Sequence, residues 1–363
     1  MIRVFVRRNP NLEYLTGDPA NELDGLREGP AAWRPDTGGP ADVSRTAARL
    51  RPSARSHVVG YDLVVAAPRP ISIVLALDES RAPGVVRAHR DAVSAAFSYL
   101  DERAAVVRDR RGGRDEELAS SWQDPVGFTH GVNRHGEPHL HDHVVIPATS
   151  RGESRMNDPR ALGAHLVTAD ALYRSTLRAR VRELTGYRAW RSLSGREGIE
   201  GLDEGWMALW GGHWSERGTK QYWNRDEIVE QWRRQASRME HFGEMVAPPH
   251  YSGVHPHLYR ASLYGERWPT RRDIVRALAD GAVEGLSGSR VEALADGIFP
   301  EFAYDRGLHE QSIPLHEAWT RGPAQSRERT VEVEPSRVSS WSREELSRGA
   351  RVRDSESLQR GSR

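Results

Sequence analysis

His139, His141 and His143 stand on alternate residues of one stretch, with His130 a short way upstream and Val144, Val145 and Ile146 just beyond. Side chains two apart on a β-strand leave the same face, so the three imidazoles form a row. A divalent cation held by histidine needs several neutral rings converging at about 2.0–2.1 Å from one point. Two rings from the strand and one from the preceding segment can supply that set, and clustered histidines most often bind metal. The chain has no cysteine, which removes disulfides, thiolate nucleophiles and thiolate zinc sites together. The expected cofactor is a divalent ion, Mg2+, Mn2+ or Zn2+, held by histidine and carboxylate.

The elements that must carry this row can be read from periodicity. Tyr61 to Ala67 and Ile71 to Leu77 are apolar, β-branched runs separated by Pro68 and Pro70, and both read as strand or buried segment. From Gly84 the period changes to that of a helix, with Val85, Ala88, Ala92, Ala95, Ala96, Tyr99 and Leu100 on one face. A charged loop is expected near Arg110 to Gly113, ahead of the histidine strand. A second helix is expected from about Thr168 to Leu184, buried through Tyr173, Leu177, Val181 and Leu184 and stopped by Gly186. Two capping patterns, Thr270 with Asp273 and Ser289 with Glu292, each predict the start of a short helix.

At 363 residues the chain is long enough for two ordinary domains, and its 28% charged and 37% hydrophobic residues describe a soluble protein. No apolar run approaches the roughly 20 residues of a membrane span, and the first ten residues are too weakly apolar for a secretory signal. A cytoplasmic location and no membrane insertion are expected. Lys220 is the only lysine, so nearly all positive charge is guanidinium, the group suited to bidentate phosphate contact. The densest basic patch, Arg174, Arg178, Arg180, Arg182, Arg188, Arg191 and Arg196, lies on and after the second helix. No Gly-x4-Gly-Lys-[Ser/Thr] sequence occurs, so no P-loop and no nucleotide cofactor are expected.

Two blocks together resemble a known family. Gly60 to Leu77, followed by Ala88 to Val93 and Tyr99 to Asp101, is similar to the G-[FY]-D-L-T-F-S-A-P-K-S-V-S block and following helix of MobF-type conjugative relaxases, the TrwC/TraI group of the HUH endonuclease superfamily. His130, Arg134 and Glu137 to His143 match that family's next motif in order and spacing. The resemblance spans roughly residues 10–300. It implies His130, His141 and His143 as metal ligands and Asp62 as the carboxylate that orients or deprotonates its neighbours. His139 has no counterpart among the ligands and stands as an additional ligand or DNA contact. Without the family, His139 and His141 could themselves be the His-hydrophobic-His pair, which leaves the register open by one step. The segment Asn11 to Gly17 resembles the family's first tyrosine region, which makes Tyr14 the nucleophile; Tyr61 alternates with Asp62 and should face the other way. The second tyrosine site corresponds to Gly25 to Pro30, which holds no tyrosine.

The expectation is an α+β fold with a central antiparallel sheet, packed helices and a C-terminal helical region. Residues 1–235 would form the nuclease domain, 236–320 its helical extension and 321–363 a disordered tail. The implied activity is metal-dependent nicking and transfer of single-stranded DNA at a plasmid or integrative-element transfer origin, through a 5′-phosphotyrosine. Arg134, Arg174, Arg178 and Arg182 would contact the DNA, alongside other relaxosome or coupling proteins. The alternatives are a cleavage-deficient, DNA-binding accessory protein and a rolling-circle replication initiator of the same chemistry.

Overall fold

The β-branched run before Pro68 and the histidine stretch become neighbouring strands at the middle of an antiparallel sheet. The computed structural model describes residues 1–16, 32–52, 56–111, 114–133, 135–149, 157–202, 210, 225–237, 250–263 and 269–304. Its strands in chain order are β1 (Ile2–Arg7), β2 (Ala32–Trp33), β3 (Gly60–Ala66), β4 (Val106–Arg111), β5 (Arg114–Ala119), β6 (Val126–Val132), β7 (Pro138–Pro147), β8 (Ala189–Arg191) and β9 (Glu197–Ile199). Five of them form one sheet in the order β1-β3-β7-β6-β2, every neighbouring pair antiparallel. The pairs β4–β5 and β8–β9 are separate two-stranded ribbons, so the charged stretch around Arg110 is mostly paired strand rather than loop.

Register separates two faces. Directly opposed residues share a face, and β7 places Val145 opposite Asp62 and Val126, His143 opposite Val64 and Phe128, and His141 opposite Ala66 and His130. This front face is covered at one end by a cluster of Leu12, Leu15, Leu50, Val59, Val126, Phe128 and Val145. It draws on the short helix α1 (Glu13–Thr16) and the residue ending α2 (Val43–Arg49). Gly60 lacks a side chain because none would fit, since a Cβ there would lie 2.6 Å from the Ile146 carbonyl oxygen.

Three helices cover the back face: α3 (Arg69–Leu77), α4 (Ala82–Ala104) and α5 (Pro159–Thr185). The second β-branched run is therefore helix α3, not strand. Pro70 sits in its first turn, where a missing N–H costs nothing, and burial of every residue from Pro70 to Ala76 overrides β propensity. Helix α4 buries Val85, Ala88, Ala92, Ala96, Tyr99 and Leu100 as its periodicity predicts. Helix α5 begins nine residues earlier than expected, at Pro159 behind the N-cap Asp158, and stops at Gly186 in left-handed backbone with φ 78°.

Beyond β9 come α6 (Arg225–Ser237), α7 (Pro256–Ser262), α8 (Arg271–Gly281) and α9 (Gly288–Tyr304). The Thr270–Asp273 capping box opens α8 as expected. The Ser289–Glu292 pattern does not cap α9; the Ser287 hydroxyl accepts from Arg290 N at 3.3 Å, and Glu292 turns to Arg271 at 3.2 Å. Trp33, Trp122, Trp190, Trp210 and Trp232 are all buried. The described residues belong to one unit, Met1–Asp305. The expected tail 321–363, the Gly25 to Pro30 segment and Arg134 lie outside the described residues.

Candidate metal centre

A tight turn joins β6 to β7 and sets the histidines against each other. Asn133 organises it: its side-chain oxygen accepts from His135 N at 2.9 Å and Glu137 N at 3.0 Å, while its amide donates to Glu137 Oε2 at 2.7 Å. Gly136 adopts φ 75°, and its carbonyl accepts the buried Trp232 indole N–H at 2.7 Å. His130 stands directly opposite His141, and the register shifts just beyond it, between His130 and Val132.

The rings of His130, His141 and His143 form a nearly equilateral triangle with centroid separations of 5.2, 5.3 and 5.3 Å. One nitrogen from each lies within 4.8 Å of the others, and no other such group of three or more occurs among the described residues. His139 shares the strand face and stacks 4.7 Å from His141, but it is not one of the three. Of the two histidine pairs that spacing left open, it is His141 and His143 that converge with His130.

Each ring is held from behind. His143 Nδ1 lies 3.0 Å from both oxygens of Asp62, so its N–H points to the carboxylate and its Nε2 carries the lone pair. His141 Nδ1 donates to the His139 carbonyl at 2.8 Å, with the same consequence. His130 Nε2 lies 3.3 Å from the Leu15 carbonyl, which ties this ring to α1. Burial, then the neighbouring His139, His130 and His143, holds His141 well below the usual imidazole value. Burial also lowers His139 to about 4, helped by the terminal ammonium and Arg69. These rings are neutral near pH 7, the state a metal requires. Three converging imidazoles with a carboxylate behind one of them fit a divalent cation.

Asp62 is itself buried and paired with buried Arg7, whose Nη1 lies 3.7 Å from Asp62 Oδ2. Sequence reasoning missed Arg7: it is an arginine at a strand end, 55 positions from its partner, with no spacing signal. Tyr61 faces the back, as alternation requires, and its hydroxyl donates to the Asn157 carbonyl at 3.2 Å. Tyr14 belongs to α1, one residue before the carbonyl that meets His130; its side chain is outside the described ones. Burial raises the phenols of Tyr61, Tyr173, Tyr99 and Tyr259, the last two to about 12, and all four are core residues.

The arginine patch is placed elsewhere. Tyr173 of α5 meets His89 of α4, which meets Asp142 on the back of β7, so α5 lies behind the sheet. Arg178 is buried, donating to Glu197 at 2.8 and 3.0 Å and to the carbonyls of Ala279 and Ala282 at 3.3 and 2.9 Å. A guanidinium so enclosed joins α5 to α8 rather than offering itself to phosphate. Arg174 pairs with Asp170 at 3.0 Å, and the more exposed Arg182 pairs with Glu284 at 2.7 Å.

The family model described as TrwC relaxase matches residues 3–238, which take in the five-stranded sheet from Arg3 onward and the three converging histidines. The chain belongs to the TrwC relaxase family. Among curated relatives, the multifunctional conjugation protein TraI of Escherichia coli, and that of strain K12, are each 28% identical over 158 residues. The alignment takes in 40% of this chain and 8% of each TraI, so this relaxase-family chain spans under a tenth of those relatives. Two solved structures of the conjugative relaxase TrwC in complex with oriT DNA, one metal-bound and one copper-bound, share its fold. They superpose with TM-scores of 0.52 and 0.53 at 18% and 19% identity, covering 65% of this chain and 98% of theirs. Helices α7 to α9 lie beyond the family match. No described helix is long and apolar enough to cross a membrane.

Proposed function

We propose that this chain nicks and rejoins one DNA strand at a transfer origin, with His130, His141 and His143 as metal ligands and Tyr14 as nucleophile. The observation that carries the reading is the triangle of imidazoles, backed by Asp62, beside the helix that contains Tyr14. The Tyr14 phenolate oxygen would form a bond to phosphorus as the bond to the 3′ oxygen breaks, leaving a 5′-phosphotyrosine and a 3′-hydroxyl; the reverse step reseals the strand. A phenol titrates near 10 in water, so its proton must be drawn off. A bound divalent ion would supply charge withdrawal at a non-bridging phosphate oxygen. Asp62 fixes the His143 tautomer, and the His139 carbonyl does the same for His141.

For the strand itself we propose phosphate contacts from Arg134 and Arg182 and leave Arg174 and Arg178 to the protein interior; His139, beside the triangle, is proposed to face the DNA. Residues 1–235 would carry the chemistry and 236–320 would form its helical extension. A cytoplasmic setting follows from the DNA substrate, with relaxosome or coupling proteins as partners. Incubation of a labelled transfer-origin oligonucleotide with Mg2+ or Mn2+ tests the proposal: a covalent adduct forms and vanishes in Tyr14→Phe. The absence of tyrosine from Gly25 to Pro30 favours one second reading, a binder that no longer cuts. Retarded DNA without any adduct would establish that reading instead.

A further inference from the structure

Arg7 ends β1, opposite Gly60, with its side chain 5% exposed. Its two ends of reach are unlike. Toward the sheet, Nη1 faces Asp62, the carboxylate behind His143. Toward the loop, Nη2 donates to the Asn11 carbonyl at 2.7 Å and the Asn9 carbonyl at 3.3 Å. Asn11 in turn starts α1: its side-chain oxygen accepts from Glu13 N at 2.7 Å, and its amide donates to Glu13 Oε2 at 2.9 Å. Helix α1 closes the path when the Leu15 carbonyl meets His130 Nε2. The connections run from His143 through Asp62, Arg7, Asn11 and α1 to His130, a ring that returns to the opposite side of the imidazole triangle.

We propose that Arg7 is a positioning residue that fixes α1, and with it the backbone of Tyr14, relative to the histidine triangle. A planar guanidinium can face a carboxylate with one nitrogen while another bonds the loop carbonyls; an ammonium is a single point on a flexible stem and cannot keep both geometries. Four residues make too short a helix to hold its own position, so α1 depends on this anchor, on Asn11 and on its buried leucines. The proposal rests on the relaxase reading for its catalytic consequence, but its structural part does not need DNA.

The test compares Arg7→Lys, Arg7→Met and Asn11→Ala. In Arg7→Lys, charge beside Asp62 survives and the fork is lost. Amide exchange across residues 12–16 should then accelerate while β1 and β3 stay protected. The rate of adduct formation at saturating oligonucleotide should fall about 10–100-fold, with the half-saturating DNA concentration changed less than about threefold. Asn11→Ala should reproduce the rate loss and leave Co2+ affinity intact. Arg7→Met should weaken Co2+ binding, followed by its visible spectrum, about tenfold. Unchanged exchange at residues 12–16 in Arg7→Lys overturns the proposal, as does faster exchange throughout β1 and β3, which would make Arg7 a support of the sheet alone. If the wild-type chain forms no adduct, the relaxase reading fails, while the exchange and Co2+ measurements still decide the role of Arg7.

Discussion

Strand β7 carries a histidine–aspartate pair on each of its faces, and only one of them belongs to a site. On the front, His143 Nδ1 meets Asp62 at 3.0 Å, and the ring's other nitrogen turns toward His130 and His141. On the back, Asp142 lies 3.6 Å from His89 Nε2, and the other nitrogen of His89 meets the Tyr173 hydroxyl at 2.7 Å. His89, Asp142 and Tyr173 are completely buried. Burial alone would raise the Asp142 carboxyl, but His89 beside it, with Thr129 and Arg90, holds it below the usual range. The back pair has both imidazole nitrogens directed at protein groups and joins sheet, α4 and α5; the front pair keeps one nitrogen for something else. An aspartate behind a histidine does not make a site unless the ring's far side converges with others.

That contrast can be broken most sharply at a ligand. His141→Ala should lower Co2+ affinity by more than the 10–100-fold typical of outer partners and abolish adduct formation, with the circular dichroism spectrum kept. On the back, His89→Ala should do the reverse. Leaving Asp142 buried without its partner should cost about 3 kcal/mol of unfolding free energy in urea, while Co2+ affinity of the folded protein stays within about threefold. A metal affinity that fell with His89→Ala as far as with His141→Ala would erase the distinction between the faces. Asp62→Asn lies between these cases, with an expected loss of metal affinity of about 10–100-fold by the same titration.

The smallest effect concerns acid. His165, which bonds the Tyr99 hydroxyl at 2.8 Å between α5 and α4, is lowered to about 4 by burial, then by Arg272 and Arg103. Its folded value lies below its unfolded value of about 6.5, so the unfolded chain takes up the proton first. Stability is then full above about pH 6.5 and declines as the pH falls toward 4. Replacing His165 with Gln should remove about 1–2 kcal/mol of the loss between pH 7 and pH 5, measured by urea unfolding at both values. An unchanged pH slope would show that other groups carry the acid sensitivity.

Much of the scaffold was legible because it is written in local periodicity. The α4 face, the Gly186 stop, the Thr270 capping box and the placing of Tyr61 on the face opposite Asp62 all depend on residues a few positions apart. Where local preference met tertiary burial, it lost: Ile71 to Leu77 favours strand by composition but forms α3, buried from Pro70 to Ala76. Ser289 fits a capping pattern, yet the helix starts two residues earlier than that cap implies, at Gly288 behind Ser287. Arg178 of α5 looks like part of a nucleic-acid surface until its partner Glu197 arrives from elsewhere in the chain and encloses it.

By itself the sequence determined that histidines would share one strand face and that no thiol could take part, and the family resemblance of its two motif blocks tied Asp62 to the histidine strand. Tertiary structure decided which of the two histidine pairs left open by spacing converges with His130, because His130 stands opposite His141 in the regular register that ends at the shift before Val132. It also decided that Arg7 reaches Asp62 and the α1 loop together, and that Arg178 is interior. A chain's periodicity specifies directions from each backbone position, whereas ion pairs between residues tens of positions apart exist only after strands and helices have docked in one register.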